Sequence, residues 1–401
     1  MGSIGTLALA AAVFASAAPV ASAQERGFQQ ALRGFRQLHR AETQRAGIAG
    51  SSFYFVRGGR TVAADHLGEQ DADTHVPVDA RTIYHWASIT KTMTGIAIMQ
   101  LRDRGLLSLD DPIVRYVPEL AQVHNPFGDT NAITLRQLMS HSAGFRNGTW
   151  PWRDKEWQPF EPPGWAQLAA MLPYTEVLYR PGTRFSYSNP GIVYLGQVIE
   201  RLTGEDFEVY VDKNILKPLG MHDSYFDRTP PHLLPHRSHS YYIRDGKREA
   251  APFDVDTGVT VSNGGLNAPL PDMAKYLAFL IGDPARADYA LVLKRASLEE
   301  MWQPQISARE DFSQGRMAAT TQAGLSFFID QGHGGVRFVG HNGDQNGFRA
   351  YLSLCPDQRA GSLLAFNTET RGVRNDPSNR ETAESRIALA TDRMCETLAG
   401  K

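Results

Sequence analysis

Ser88-Ile89-Thr90-Lys91 places a hydroxyl and an amine three residues apart at the head of a long apolar stretch. On a helix that spacing sets both side chains on one face, one turn apart. A serine hydroxyl becomes a useful nucleophile only when a neighbouring base takes its proton. A lysine in a partly desolvated pocket is such a base, because burial lowers its pKa towards neutrality. The tetrapeptide alone is common in long chains, so its meaning depends on what surrounds it. Two further segments bear on it. Pro181 to Gly191 sets Tyr187-Ser188-Asn189 in a turn before a helix, and Gly340-His341-Asn342-Gly343-Asp344 falls between two predicted strands, where glycine permits close backbone approach.

The elements that must position these groups are partly legible. Phe28, Leu32, Phe35 and Leu38 recur at helical spacing and predict an amphipathic first helix. Residues 51–56 and 61–67 read as strands joined by a Gly58-Gly59 hairpin. The helix carrying Ser88 is apolar around much of its circumference (Ile89, Met93, Ile96, Ala97, Leu101), which predicts a central, buried helix ending near Arg104. Helices are also predicted at 192–202, 272–281 and 382–398. Late strands are predicted at 325–329, 336–340, 348–355 and 362–366, with a turn at Pro356–Arg359. Early and late strands together suggest one antiparallel sheet, interrupted by a middle region of prolines, tryptophans and long loops.

Ser88-x-x-Lys91, Tyr187-x-Asn189 and His341-x-Gly343, in that order, resemble the three signature elements of the serine β-lactamase and penicillin-binding protein superfamily. The segments Ile133–Gly144, Leu216–Met221 and Gly264-Gly265-Leu266 extend the resemblance over residues 45 to 370. It implies an α+β fold, with an antiparallel five-stranded sheet flanked by helices and an inserted helical domain. The expected division is a signal peptide at 1–23, a discontinuous sheet domain at 24–108 and 256–401, and a helical domain with substrate loops at 109–255. It also implies roles. Ser88 forms an acyl-enzyme, and Lys91 and Tyr187 share the proton traffic. A lysine ammonium would lower the Tyr187 pKa, and which of the two is the acylation base stays open. Asn189 bonds the substrate amide and Lys91. The backbone N–H groups of Ser88 and Asp344, beside Gly343, form the oxyanion hole.

One departure redirects the expectation. β-Lactamases carry lysine where this chain has His341, and a neutral imidazole holds a substrate carboxylate less firmly unless protonated. His-x-Gly is similar to the form in family peptidases and some esterase-like members. The resemblance therefore implies a peptidase acting on small or linear peptides, a group that includes enzymes for linearised cyclic peptides such as microcystin. The alternatives are a short-chain carboxylesterase, and a β-lactamase or penicillin-binding protein with slow turnover. The resemblance calls for no metal or organic cofactor.

Composition bounds the rest. The 401 residues are 42% hydrophobic and 21% charged, with a net charge of −2, which gives no basic excess for nucleic acid. Ile4 to Ala23 is small and apolar and ends Ala21-Ser22-Ala23, the pattern of a secretory leader, so the chain is expected in the periplasm or outside the cell. No later segment has 18 uninterrupted apolar residues, so no stable membrane insertion is expected once the leader is removed. The expected partner is a small peptide or ester substrate; the oligomeric state is not encoded in any motif. Cys355 and Cys395 are either a pair joining a late strand to the last helix or two buried thiols. His236 and His239 lack a partnering acid and read as a solvated loop. Four tryptophans, Trp150, Trp152, Trp157 and Trp165, are candidates for a cleft wall.

Overall fold

The computed structural model describes residues 23–149, 162–308, 321–370 and 382–401. The predicted leader, apart from Ala23, and Trp150, Trp152 and Trp157 lie outside these residues. The fold is α+β, as the sequence predicts. Helix α1 (Ala23–Arg45) is followed by strands β1 (Gly50–Arg57), β2 (Arg60–Asp71) and β3 (Val76–Pro77). The later strands of the same sheet are β4 (Ile306–Ser307), β5 (Gln322–Ala323), β6 (Phe328–Gln331), β7 (Arg337–Gln345), β8 (Phe348–Cys355) and β9 (Ala360–Phe366). Their order across the sheet is β3-β2-β1-β9-β8-β7-β6-β5-β4, antiparallel throughout.

The sheet thus has nine strands where five were expected. The surplus includes β3, β4 and β5, which are two residues long and so have no periodicity to read. Strand β6 begins at Phe328 rather than at residue 325, because Ser326 adopts a left-handed φ of 62° and breaks the extended run before it. The predicted single closing helix is two: α5 (Ala383–Ala390) and α6 (Asp392–Leu398).

Both faces of the sheet are covered, which follows from the side-chain alternation along its central strands. Phe53 and Phe55 of β1 and Leu364 and Phe366 of β9 pack with Phe28, Leu32 and Phe35 of α1 and with Ile387 and Met394. Tyr54, Val56, Leu363 and Ala365 point the other way, into a larger core with α2 (Thr90–Asp103) and α4 (Leu270–Ile281). Helix α2 has almost no exposed face: Ile96, Ala97, Ile98 and Met99 are all fully buried. Each of the three larger side chains, Ile96, Ile98 and Met99, contributes about 1.5–3 kcal/mol. Cys355 at the end of β8 is joined by a disulfide to Cys395 in α6, which settles their pairing.

The middle of the chain supplies α3 (Asn189–Thr203) and several shorter helices, but it is not purely helical. Tyr241–Arg244 and Lys247–Ala250 form a hairpin that pairs with Thr368–Glu369, directly after β9. A third small sheet aligns Ile83–His85, just ahead of Ser88, with Leu266–Pro269. Among the described residues no helix is long and apolar enough to cross a membrane.

Candidate active site

Ser88 lies in a tight turn, Ala87–Ile89, immediately before α2. The turn is held at both ends. Trp86 is fully buried, its N–H bonds to Leu266 and its indole to Ala268. Ala87 takes a φ of 46°, a left-handed conformation costing a residue with a β-carbon roughly 1–2 kcal/mol. That strain aims the next residue, Ser88, outward from the head of the helix.

Lys91 follows one turn on, fully buried. Its Nζ lies 2.8 Å from Ser88 Oγ and donates to the carbonyl of Asn263 at 2.8 Å. Among the described residues no carboxylate is paired with it, and burial drives its pKa well below the lysine range. A neutral amine suits this geometry: one N–H serves Asn263 while the lone pair faces the serine proton.

Tyr187 closes the group, its ring 5.1 Å from Lys91 Nζ. Burial pushes the Tyr187 pKa upward, and a hydrogen bond with Ser88 only partly opposes this. The expected lowering by a lysine ammonium is therefore corrected. Burial disfavours the charged form of both groups, so the lysine gives up its proton and the phenol keeps its own.

Strand β7 forms the opposite wall. His341 to Asp344 lie within this strand rather than between two strands, because the hairpin turn comes later, at Asn346 and Gly347 (φ 51° and 76°). Gly343 has a specific role in the packing. A β-carbon there would lie 2.2 Å from the Trp86 carbonyl oxygen, so only glycine lets β7 pass beside the Ser88 turn. Asp344, the expected second oxyanion donor, is the next residue along the strand. The Asp344 carboxylate is directed to its cross-strand partner Arg349 at 2.6 Å.

His341 is 3% exposed, and its Nδ1 donates to the Asn342 carbonyl at 2.7 Å. Burial first, and Lys91 second, lower its pKa to about 3. Protonation therefore does not restore a cation at this position near neutral pH, contrary to the expectation. Asn189 is also placed differently. It is the first residue of α3, and its Nδ2 donates to Asn147 at 3.1 Å, while Asn263 takes the lysine contact expected of it.

Two residues to which the sequence reading gave no role stand in the site. Asn263 precedes the Gly264-Gly265 pair, where a β-carbon on Gly264 would sit 2.6 Å from Gln345 Oε1; that pair was the available signal. His141 adopts a φ of 54°, and its ring stacks on Tyr187 with centroids 4.4 Å apart. The Ser188 N–H donates to His141 Nδ1 at 3.2 Å, which fixes the imidazole proton on Nε2. Nothing in its sequence surroundings distinguishes it from a core histidine. Trp165 is half-buried and stacks edge-on against Tyr194, away from Ser88 and Lys91 in its contacts. No cluster of three metal-ligating side chains occurs among the described residues.

The chain belongs to the beta-lactamase family, whose model matches residues 35–386. It is similar to Protein flp of Staphylococcus aureus (strain COL), 24% identical over 332 residues that cover 83% of this chain and 62% of that one. The chain thus spans less than two thirds of that relative. Among solved structures, the octameric penicillin-binding protein homologue from Pyrococcus abyssi superposes with a TM-score of 0.74 at 24% identity, covering 92% of this chain and 78% of that one. The D-stereospecific amidohydrolase from a Streptomyces species gives 0.66 at 24% identity, covering 88% and 96%. These likenesses show the serine β-lactamase and penicillin-binding protein fold.

Proposed function

We propose that this protein is an exported serine hydrolase that cleaves amide bonds of small or linear peptides through an acyl-enzyme on Ser88. The observation that carries the reading is the 2.8 Å contact between Ser88 Oγ and the desolvated Lys91 Nζ. Lys91 takes the serine proton as Oγ attacks the substrate carbonyl carbon. The developing oxyanion is met by the Ser88 and Asp344 N–H groups. Tyr187, a neutral phenol hydrogen-bonded to the serine, passes a proton to the leaving nitrogen and is reprotonated from Lys91. Water then attacks the ester carbonyl as Lys91 accepts its proton, and as the ester C–O bond breaks that proton passes to Ser88 Oγ, restoring the neutral amine and the serine hydroxyl.

The neutral His341 is poorly suited to holding the carboxylate of a β-lactam, which favours peptides, with short esters as the second substrate class. Export is supported by the apolar run from Ile4 to Ala23 and by the Cys355–Cys395 disulfide, a bond that persists in oxidising compartments.

The test is a screen of nitrocefin, D-Ala-D-Ala peptides, linear peptides and short esters with wild type and Ser88→Ala. Ser88→Ala is expected to lose turnover on every substrate while melting at the wild-type temperature. Wild-type rates in that variant would sink the assignment.

A further inference from the structure

Arg237 lies just beyond the short turn Leu234–His236, with its backbone paired to Ile83. It is only 5% exposed, and its guanidinium stacks over the Phe348 ring at 4.8 Å. Its Nε and Nη1 are buried without a hydrogen-bond partner among the described residues. Asp254, the carboxylate whose field reaches it, accepts instead from the Thr229 N–H and hydroxyl at 2.9 and 2.6 Å. Arg349 behaves differently. That side chain is equally buried, yet it is matched to Asp344 at 2.6 Å. A buried guanidinium is ordinarily paired, because desolvating it alone costs several kcal/mol. Arginine also keeps its charge in such surroundings.

The position of Arg237 relative to the reaction is defined by its neighbours. Phe348 opens β8, directly after the turn that ends β7, and lies 6.1 Å from the His85 ring. His85 Nε2 in turn meets Gln345 Oε1 at 3.3 Å. Arg237 thus sits at the Gln345 end of β7, one residue past the proposed oxyanion donor Asp344. The other end of that run, His341, lies beside Tyr187. At about 3.3 Å per residue, the two ends are roughly 13 Å apart. A leaving group that takes its proton by way of Tyr187 departs at the His341 end, so the acyl half of the substrate runs towards Gln345.

Resting on the acyl-enzyme reading above, we infer that Arg237 receives a carboxylate carried on the acyl side of the substrate. The preferred substrates are then peptides whose acyl half bears an acidic group. The experiment compares kcat/KM for N-succinyl- and N-glutaryl-alanine p-nitrophenyl esters with their neutral N-butyryl and N-valeryl counterparts. Wild type should favour at least one charged ester about 10- to 100-fold, the range of a charged hydrogen bond. The charged-to-neutral ratio should collapse in Arg237→Met and be partly kept in Arg237→Lys. Free glutarate should inhibit wild-type turnover of the neutral ester competitively while glutaramide does not, a measurement that needs no variant. A charged-to-neutral ratio near one in wild type, an unchanged ratio in Arg237→Met, or equal inhibition by glutarate and glutaramide overturns the inference. Neutral-ester turnover that is lost in Ser88→Ala alongside a flat ratio sinks only the Arg237 site; turnover that survives Ser88→Ala sinks the acyl-enzyme reading itself.

Discussion

At the scale of single residues, the proton chemistry around Ser88 is divided by burial. Desolvation acts on Lys91 and Tyr187 in opposite directions on the pKa scale, downward for the amine and upward for the phenol. Both shifts favour the neutral form, and only one neutral form is a base. The rate should therefore rise with pH as Lys91 loses its proton, with a midpoint well below the ordinary lysine value. Tyr187→Phe should cost about 10²-fold or more, since it removes a proton-transfer group. It should leave the midpoint of the acidic limb where it was in the kcat/KM profile. Disappearance of that limb in Tyr187→Phe would instead make the tyrosine the base.

At the scale of elements, the site exists because β7 runs against the turn ahead of α2. Gly343 permits the approach, and the substitution most damaging to it is small. Gly343→Ala places a methyl 2.2 Å from the Trp86 carbonyl, an unyielding backbone atom. An overpacking cost of about 1–3 kcal/mol is expected in urea unfolding, together with a fall in kcat as the oxyanion donors move apart. Gly34, on the exposed side of α1, is the opposite case, since a methyl added there would have nothing within 4 Å. Gly34→Ala should stabilise the protein by about 0.5–1 kcal/mol, because alanine is the better helix former. Equal effects from the two substitutions would show that the strand contact is not tight. The shape of β7 was partly visible beforehand: Asn346-Gly347 is a strong hairpin signal, and reading the turn there would have placed His341 to Asp344 inside the strand.

At the scale of the whole molecule, burying neutral histidines links stability to pH. His39 and His85 are held at about 4, His341 at about 3, and His141 well below its ordinary value, each chiefly by burial. The unfolded chain binds these protons from about pH 6.5 downward while the folded protein does not. Stability is therefore lost as pH falls from about 6.5 towards 4, by up to about 1.4 kcal/mol per pH unit for each histidine. Asp227, raised to about 6 by burial, opposes one of them. Calorimetry should show Tm falling steadily between pH 7 and 5. His39→Gln, which keeps a polar group near Ser51, should shallow the slope by about one proton. A Tm that is flat or rises on acidification would contradict the linkage.

The sequence by itself determined the chemistry-bearing groups, because their information is local. Ser88 and Lys91 are set on one face by helical pitch, Tyr187 and Asn189 by a turn that starts a helix, and the long central strands by their apolar runs between turn signals. Tertiary structure alone decided the protonation states, since desolvation depends on what the rest of the chain packs around Lys91, Tyr187 and His341. It also decided the partners brought from far away: Asn263, 172 residues from Lys91, and His141 against Tyr187. The pairing of Cys355 with Cys395 and the two-residue edge strands belong to the same class, being fixed by distance in space rather than by pattern along the chain. Arg237 shows the limit most plainly: in the sequence it is an ordinary loop arginine, and only the fold buries it with its Nε and Nη1 unpartnered among the described residues.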